Sequence, residues 1–347
     1  MKFSSPIVKG FWDEVHKKAR VAARPILTLA PMADVTDAAF RRIIAARGMP
    51  DALWTEFVSA DGLARADERG RAKLMRDLLF TDAERPIVAQ FFTATPEYMH
   101  AAAELAVRLG FDGIDINMGC PDRSVERQGA GAALIKTPAR AGEIIRAAKM
   151  RAGNLPVSVK TRLGWNINQI ETWLPALLAE APAVVTIHAR TRKEMSKVPA
   201  RWDEIRRAVE IRDTVQADID PDQRTLIFGN GDVRDLADAK TKAAATGADG
   251  VMLGRAIFGN PWLFSGRSTE SITSSERITA LIEHIKLFDE LLGDIKSFAI
   301  MKKHFKAYIT GWDGAAQLRT QLMEAATATD AIKILTKNLD DIKITED

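Results

Sequence analysis

The chain has 347 residues, 46% of them apolar and 27% charged, so it is long enough for one large domain with an appendage or for two ordinary domains. Its single cysteine, Cys120, excludes a disulfide framework and a cysteine-rich metal site, and it indicates an intracellular protein. The sequence has no apolar signal segment and no apolar run of membrane-spanning length, and a net charge of +3 neither requires nor excludes a polyanionic partner.

Short runs rich in β-branched and apolar residues recur along the chain and are predicted to be strands. These eight runs are PILTLAPM from Pro25, ALWTEFV from Ala52, PIVAQFF from Pro86, GIDINMG from Gly113, PVSVKTRLG from Pro156, AVVTIHAR from Ala183, TLIFGNGD from Thr225 and GVMLGRAI from Gly250. Helical spacing lies between them, as in DAAFRRIIAARG and PEYMHAAAELAVRLG, and it often ends in the glycine expected just past a helix.

This alternation of strand and helix predicts an α/β fold with a parallel sheet, closed as a (β/α)8 TIM barrel. An open doubly wound sheet is the alternative. It is disfavoured because no G-x-G-x-x-G opens any of the helices.

After Phe264 the pattern changes from alternating to purely helical. Residues 1–265 are predicted to form the barrel domain, with an N-terminal extension over residues 1–24. Residues 266–277 are polar and are predicted to be a linker, and residues 278–347 are predicted to form a small all-helical domain. An acidic, polar segment, residues 211–225, is predicted to be a surface excursion away from the active face.

Polar side chains stand at the predicted strand ends, where barrels of this type place their chemistry. They are Asp34, Glu56, Gln90, Asn117, Lys160, Arg162, His188, Arg190, Asn230, Asp232 and Arg255. Each one alone is more often a solvated or structural residue, but eight polar strand ends around one rim indicate a site. The glycine-rich turns FGNGDVRD and MLGRAIFGNP favour a phosphate-bearing ligand, although glycine there is also compatible with a simple turn.

The same rim suits a flat redox heterocycle better than a metal. Lys160 could stabilise negative charge on an electron-rich ring, and Gln90 and Asn117 could bond to its polar edge. No metal is expected, because His188 has no histidine or cysteine at ligand spacing near it. Taken alone, His188 is more often a structural histidine than a catalytic one.

Nine sequence words together resemble the tRNA-dihydrouridine synthases. They are LAPMADVTDAAFRRI, WTEFVSA, VAQFF, DGIDINMGCP followed by GAGAALIK, VSVKTRLGW, VTIHART, FGNGDV and GADGVMLGRAIFGNPWLF, and they follow the family's order from about Ile26 to Phe264. The helical tail, with MKKHFKAYITGW, also resembles the family's C-terminal tRNA-binding domain, though less closely.

The resemblance implies an FMN enzyme that reduces the 5,6 double bond of selected uridines in tRNA, with NADPH as reductant. It assigns cofactor contacts to Ala30, Pro31, Met32, Gln90, Lys160, His188, Asn230, Gly231, Asp232, Gly254 and Arg255. It assigns substrate contacts to Asn117, Arg162, Arg190, Lys302 and Lys303.

Cys120 stands where the family places a general acid. The implied reaction passes a hydride to C6 of uracil and leaves a ring that needs a proton at C5. A thiol with an ordinary pKa of about 8.5 is mostly protonated at neutral pH and releases its proton readily. The alternative is that Cys120 is a small buried apolar residue, as most free cysteines are.

Clusters of basic residues support a tRNA partner, because lysine and arginine contacts to phosphates position an RNA without reading its sequence. The clusters are Arg41 with Arg42 and Arg47; Arg65, Arg69, Arg71, Lys73 and Arg76; Arg123 with Arg127; Arg190, Arg192, Lys193 and Lys197; and Lys302, Lys303, His304 and Lys306. The expectation is a cytoplasmic enzyme with no membrane partner and no required oligomer.

Two other functions stay open at this point. One is an FMN-dependent barrel oxidoreductase that acts on a small dihydropyrimidine or enone, which leaves the basic helical tail unexplained. The other is an RNA-binding protein that has lost its redox chemistry, which the presence of Cys120, Lys160 and the glycine-rich turns disfavours.

Overall fold

The computed structural model describes residues 7–346, with the side chains of residues 7–339. Residues 1–6 of the predicted extension and residue 347 of the predicted helical domain lie outside the described residues. Nine strands occur in the described part: β1 (Ile26–Leu29), β2 (Leu53–Trp54), β3 (Val58–Ser59), β4 (Ile87–Phe92), β5 (Gly113–Met118), β6 (Val157–Arg162), β7 (Val184–His188), β8 (Leu226–Asn230) and β9 (Gly250–Leu253).

These strands form one parallel sheet that closes on itself. Their order is β1-β9-β8-β7-β6-β5-β4-β2, and a bridge between Thr28 and Ala52 joins the two ends. The predicted (β/α)8 barrel is therefore confirmed, and the open sheet is excluded. The second predicted run is split: β2 and β3 both pair with β4, while residues 55–57 leave the ladder between them.

Fourteen helices occur in the same described part of the chain. They are α1 (Trp12–Val21), α2 (Ala38–Arg47), α3 (Ala60–Arg65), α4 (Glu68–Arg76), α5 (Pro96–Leu109), α6 (Arg123–Arg127), α7 (Pro138–Ala152), α8 (Ile170–Leu178), α9 (Trp202–Val215), α10 (Leu236–Thr246), α11 (Ser274–Leu292), α12 (Lys302–Tyr308), α13 (Ala315–Glu324) and α14 (Ala328–Glu346). Short 3₁₀ segments join some of them, among them Gly131–Lys136 and Arg255–Ile257.

The predicted N-terminal extension carries a helix that closes one end of the barrel. Trp12, at the start of α1, is buried, and its ring lies 5.8 Å from that of Trp54 and 5.4 Å from that of Phe228. Trp54 and Phe228 belong to the barrel strands β2 and β8. These aromatic side chains bury large apolar areas, and together they fill the barrel interior on the side away from the polar strand ends.

The segment 211–225 is only partly the surface excursion that its composition predicts. Residues 211–215 finish α9, and the side chains of Arg212 and Gln216 are buried. Asp222 pairs with Arg20 of α1, so the segment packs at the N-terminal end of the barrel, away from the strand ends that carry the polar residues.

The C-terminal helices α11 to α14, named the tail below, pack directly on the barrel. The ring of Phe40 in α2 stacks on His284 of α11 at 4.8 Å and meets His304 of α12 at 5.0 Å. Gly259 has φ +66°, and a Cβ there would lie 2.0 Å from the carbonyl oxygen of Ala307, so only glycine permits this approach.

Helix α11 begins at Ser274, inside the predicted linker. Thr273 accepts from the amide of Glu276, and the Glu276 carboxylate accepts from the amide of Thr273, which is a capping box. The helix therefore starts before the predicted end of the linker at residue 277. The division of the chain into domains stays a prediction. Along residues 7–346, none of the helices combines the length and the apolar character that a membrane crossing needs.

Candidate active site

A cavity of about 790 Å³ opens at the C-terminal ends of the barrel strands. Its walls come from the ends of most strands, as expected for the functional face of such a barrel. The lining residues are Ala30, Pro31, Met32, Phe57, Gln90, Asn117, Gly119, Cys120, Pro121, Lys160, Arg162, His188, Arg190, Ser196, Asn230, Gly231, Asp232, Val233, Arg234, Gly254, Arg255 and Ala256. Every barrel residue that the resemblance assigns to the cofactor, the substrate or the acid is among them, whereas Asp34 and Glu56, two of the predicted polar strand ends, do not line the cavity.

Cys120 is presented to the cavity by a turn after β5. The Asn117 Oδ1 atom accepts hydrogen bonds from the amides of Gly119 at 3.1 Å and Cys120 at 2.9 Å, which holds this turn in place. The thiol is half-buried. Burial raises the pKa of the Cys120 thiol, although the positive charges of Arg162 and Lys160 act against that rise. The thiol is therefore protonated at neutral pH.

A buried chain of polar side chains orients Asn117. Its Nδ2 donates to Gln90 Oε1 at 3.0 Å, and Gln90 Nε2 donates to the Asp115 carboxylate. Ser158 donates to the other Asp115 oxygen at 2.6 Å. Burial raises the pKa of Asp115 to about 6, while the bonds from Ser158 and Gln90 oppose the rise. Gln90 and Asn117 are thus locked in one orientation, since an ionised carboxylate can only accept.

Lys160 contributes a partly compensated positive charge to the cavity. Its Nζ lies 3.4 Å from Asn230 Oδ1, and Asn230 Nδ2 donates to the Met252 carbonyl at 2.7 Å, which turns the Asn230 oxygen toward the lysine. Burial and the nearby Arg162 lower the pKa of Lys160 to about 8. An anionic ligand next to Lys160 would therefore strongly stabilise the charged ammonium.

His188 is held as a neutral imidazole. Arg190 Nη1 lies 3.0 Å from His188 Nε2, and because a guanidinium has only donors, Nε2 must accept and the ring proton lies on Nδ1. Burial, followed by the charges of Arg162, Lys160 and Arg190, lowers the pKa of His188 well below its ordinary value. The histidine can therefore donate from Nδ1 but does not act as a cation at neutral pH.

Arg162 and Arg190 line the cavity but direct most of their donors to the protein. Arg162 donates to the carbonyls of Gly119 at 2.7 Å and Met195 at 3.0 Å. Arg190 donates to the Val198 carbonyl and to the Asp232 carboxylate. Both arginines thus hold the loops around Cys120 and His188, and their predicted contact with substrate stays a prediction.

The charge balance of the cavity suits an anionic ligand. Among the lining side chains, five are cationic, namely Lys160, Arg162, Arg190, Arg234 and Arg255, against the single carboxylate of Asp232. Gly231, with φ +121°, leaves no room for a side chain, because a Cβ there would lie 2.9 Å from that of Ala200. The glycine turns after β8 and β9 therefore border the cavity with bare backbone, close to Arg255 and its partner Asp232, and bare backbone of this kind fits a phosphate.

Two predicted substrate residues lie away from the cavity. Lys302 and Lys303 are on α12, where Lys302 Nζ donates to the Met323 carbonyl at 2.7 Å and Lys303 is exposed. A contact of either lysine with the uridine inside the cavity is not supported, since neither lines it. Both remain candidates for contact with an RNA that extends beyond the cavity.

Sequence reasoning missed two buried or lining residues of this site. Asp115 sits inside a strand, and its alternation with apolar neighbours gave no sign that it faces Gln90. Phe57, in the break between β2 and β3, lines the cavity. The only sequence signal for this position was the polar residue before it, Glu56. In the part of the chain that the structure describes, no three histidine, cysteine or acidic side chains are grouped as a metal site.

Comparisons with known proteins agree with this geometry. The family model described as dihydrouridine synthase matches residues 28–346. The chain belongs to the dihydrouridine synthase family. It is 39% identical over 339 residues to the probable tRNA-dihydrouridine synthase 2 of Bacillus subtilis (strain 168), covering 97% of this chain and 98% of the relative. It is also 39% identical over 329 residues to the probable tRNA-dihydrouridine synthase of Staphylococcus aureus (strain COL), covering 94% and 95% of the two chains.

A solved structure has an architecture similar to that of this dihydrouridine synthase family member. Histamine dehydrogenase from Rhizobium sp. 4-9 aligns with a TM-score of 0.50 at 12% identity, over 76% of this chain and 49% of the other. At this identity the likeness supports the barrel fold alone. Family membership makes the chain a flavin oxidoreductase.

Proposed function

We propose that this protein reduces the 5,6 double bond of particular uridines in tRNA, with FMN bound in the cavity and NADPH as the source of electrons. Family membership supports the reaction class. The observation that carries the proposal is the position of the Cys120 thiol, which a hydrogen-bonded turn presents to a cavity lined by five cationic side chains and one carboxylate. A tRNA substrate supports the expected cytoplasmic location.

The residues around the cavity fit FMN. The glycine turns with Gly231 and Gly254, together with Arg255, would hold the phosphate. Lys160 with His188 would lie beside the ring system. Ala30, Pro31 and Met32 offer an apolar wall for its flat face. When bound, the flavin supplies the hydride that is transferred to C6 of uracil.

Cys120 would supply the proton that C5 of uracil needs. Since burial raises the pKa of the thiol, the proton is present at Sγ at neutral pH. As the proton leaves, the positive charges of Arg162 and Lys160 stabilise the thiolate that forms. The thiol is half-buried, so it can regain a proton from water between turnovers.

Asn117 would orient the uracil against this thiol. Its Oδ1 is taken by the amides of Gly119 and Cys120, and one Nδ2 proton goes to Gln90, so the second Nδ2 proton can donate to a uracil carbonyl. The same amide thus fixes both the thiol and the base. A uridine reaches this depth only if it is splayed from the RNA stack, at a cost of roughly a few kcal/mol.

The exposed lysines of α12 would contact tRNA phosphates outside the cavity. Lys303 and Lys306 are exposed, whereas Lys302 is half-buried against α13 through its bond to Met323. Phosphate contacts of this kind position an RNA without specifying its sequence. The tail therefore serves docking, and the barrel serves the chemistry.

The Cys120→Ala variant tests the proposed acid. We expect it to bind FMN as tightly as the wild type and to oxidise NADPH, but to form dihydrouridine in unmodified tRNA at least about a hundredfold more slowly, since general acids contribute 10²–10⁴-fold. The measurement is mass-spectrometric mapping of dihydrouridine along the tRNA. Cys120→Ser is the matched control for size.

Three results would separate the hypotheses. Full dihydrouridine formation by Cys120→Ala would contradict the assignment of the acid. Wild-type protein that binds FMN and oxidises NADPH, yet modifies no tRNA, would favour a small-molecule substrate. Wild-type protein that binds tRNA but no flavin would favour an RNA-binding protein without redox chemistry.

A further inference from the structure

One lysine of the tail reaches into the barrel loops beside the cavity. Lys296, in the turn after α11, has its Nζ 2.7 Å from Glu56 Oε2, 2.9 Å from Asp77 Oδ1 and 3.8 Å from Asp34 Oδ1. Its side chain is 14% exposed and that of Glu56 is 6% exposed. A single cation from the tail is thus surrounded by three carboxylates of the barrel.

The three carboxylates come from three different barrel segments. Asp34 follows Met32 by two residues in the loop after β1, and Glu56 directly precedes Phe57 in the break between β2 and β3. Met32 and Phe57 both line the cavity. Asp77 follows the end of α4. Lys296 therefore contacts two loops that each carry a cavity wall residue.

Glu56 links those two loops to each other. Its Oε1 accepts a hydrogen bond from the amide of Asp34, while its Oε2 bonds to Lys296. Asp34 has φ +54°, a conformation that is uncommon for residues other than glycine and needs support from its surroundings. The bond from the Asp34 amide to Glu56 supplies that support.

The ion pairs matter because the site is buried. Burial raises the pKa of Glu56 to about 7, and the charge of Lys296 opposes this rise, whereas Asp37 and Asp77 add to it. Although burial alone would lower the pKa of Lys296, the carboxylates of Glu56 and Asp77 raise it, so the lysine is a cation at all physiological pH values. Removing Lys296 would leave Glu56 facing like charges without a counterion.

The end of α11 is fixed next to this cluster. Arg76 of α4 donates to the Leu291 carbonyl at 2.7 Å and lies 3.1 Å from the Asp294 carboxylate. The turn that carries Lys296 is therefore held at a defined distance from the barrel. The Lys296 side chain is thus positioned by the tail and contacts carboxylates of the barrel.

We infer that Lys296 is a positioning residue for the part of the cavity wall formed by Met32 and Phe57, which would face the flavin. Through Glu56 and Asp34 it sets the positions of these two side chains, so the seating of the tail controls the shape of the cavity. This inference rests on the proposed function, because it assumes that the cavity holds FMN. In this arrangement the tail has a second role besides docking RNA, since it completes the flavin site.

The test compares FMN binding by full-length variants. Flavin-free protein is titrated with FMN and the quenching of flavin fluorescence gives the dissociation constant. Lys296→Met should raise that constant by about tenfold, the lower end of the 10–100-fold loss that follows removal of outer-shell partners at metal sites. Lys296→Arg keeps the charge and should stay within about threefold of the wild type. Lys286→Met, an exposed lysine of α11, is the matched control and should leave it unchanged.

A second variant covers the case in which Lys296→Met does not fold. Glu56→Gln removes the ion pair with Lys296 and leaves no charge on that side chain, although its amide oxygen can still accept from the Asp34 amide. It should also weaken FMN binding, and the loss of binding free energy in the double variant Lys296→Met/Glu56→Gln should not exceed the sum of the losses in the two single variants. If these variants lower the unfolding temperature but bind FMN within twofold of the wild type, Lys296 is merely structural and the inference is overturned. If the wild type itself binds no FMN, the proposed function falls, and this inference falls with it.

Discussion

Lys160 shows how a single side chain sets the working range of the site. Its ammonium lies near Asn230, and burial lowers its pKa to about 8. A lysine with a depressed pKa is cationic below that value and neutral above it. Because the proposed ligand is an anion, its affinity depends on the cationic form.

FMN affinity should therefore fall as the pH rises through about 8 in the wild type. The loss reflects deprotonation of Lys160 in the free protein, and the measurement is an FMN titration at pH values from 7 to 9.5. Lys160→Met should bind FMN more weakly at pH 7 and show no such fall. An identical pH profile in the variant would mean that another group controls the affinity.

At the residue scale, the sequence predicts best those site residues whose location follows from their position at the end of a strand. In a closed parallel barrel all strand ends meet on one rim, so Gln90, Asn117 and Lys160 could be brought together from their positions after apolar runs. Asp115 and Lys296 could not. Asp115 lies within a strand, and Lys296 reaches Glu56 across 240 positions of sequence, a pairing that only the packing of the tail creates.

At the scale of elements, α2 is anchored by an ion pair that sequence reasoning does not reveal. Arg41 belongs to a basic cluster predicted to favour RNA, but it is fully buried and its Nε lies 2.8 Å from Glu84 Oε2. It also donates to the Thr36 carbonyl at 2.9 Å. Helical periodicity could not separate Arg41 from its half-buried neighbour Arg42, because the partner Glu84 lies in a distant loop.

Glu84→Gln should destabilise the protein by about 3–5 kcal/mol, because breaking a buried pair leaves Arg41 with an uncompensated charge. The check is urea unfolding followed by circular dichroism. Arg108→Met, which replaces an exposed arginine of α5, is the control and should change the unfolding free energy by less than about 0.5 kcal/mol. A similarly small effect of Glu84→Gln would show that the pair contributes little.

At the scale of the whole molecule, the cavity lies in the barrel, and the tail presents exposed lysines outside it. Strand and helix alternation predicted a barrel followed by a helical part, since the pattern changes abruptly after Phe264. It could not predict how closely the two parts pack, because the approach of Gly259 to Ala307 depends on backbone geometry and leaves no periodic signal.

Replacing Lys303 and Lys306 together with alanine should weaken tRNA binding and reduce the slope of log K against log salt by about 1 for each lysine that pairs with a phosphate. Bound flavin should be unaffected, because neither lysine lines the cavity. Filter binding at several salt concentrations measures the slope. Lys17→Ala/Lys18→Ala, on α1, removes the same charge from the other end of the barrel and should leave the slope unchanged. Equal slopes for all three proteins would remove α12 from the RNA surface.

The stacking of Phe40 on His284 and its edge contact with His304 limit how this enzyme can be re-engineered. Both imidazoles are fully buried, and burial lowers their pKa values, that of His304 to about 3, so they behave as neutral aromatic surfaces. A chimera that fuses this barrel to a relative's tail would set a foreign helix face against Phe40. The transplantable piece is therefore the tail together with α2. A swap of the tail alone would exchange the proposed RNA contacts but break the contacts of Phe40 with His284 and His304.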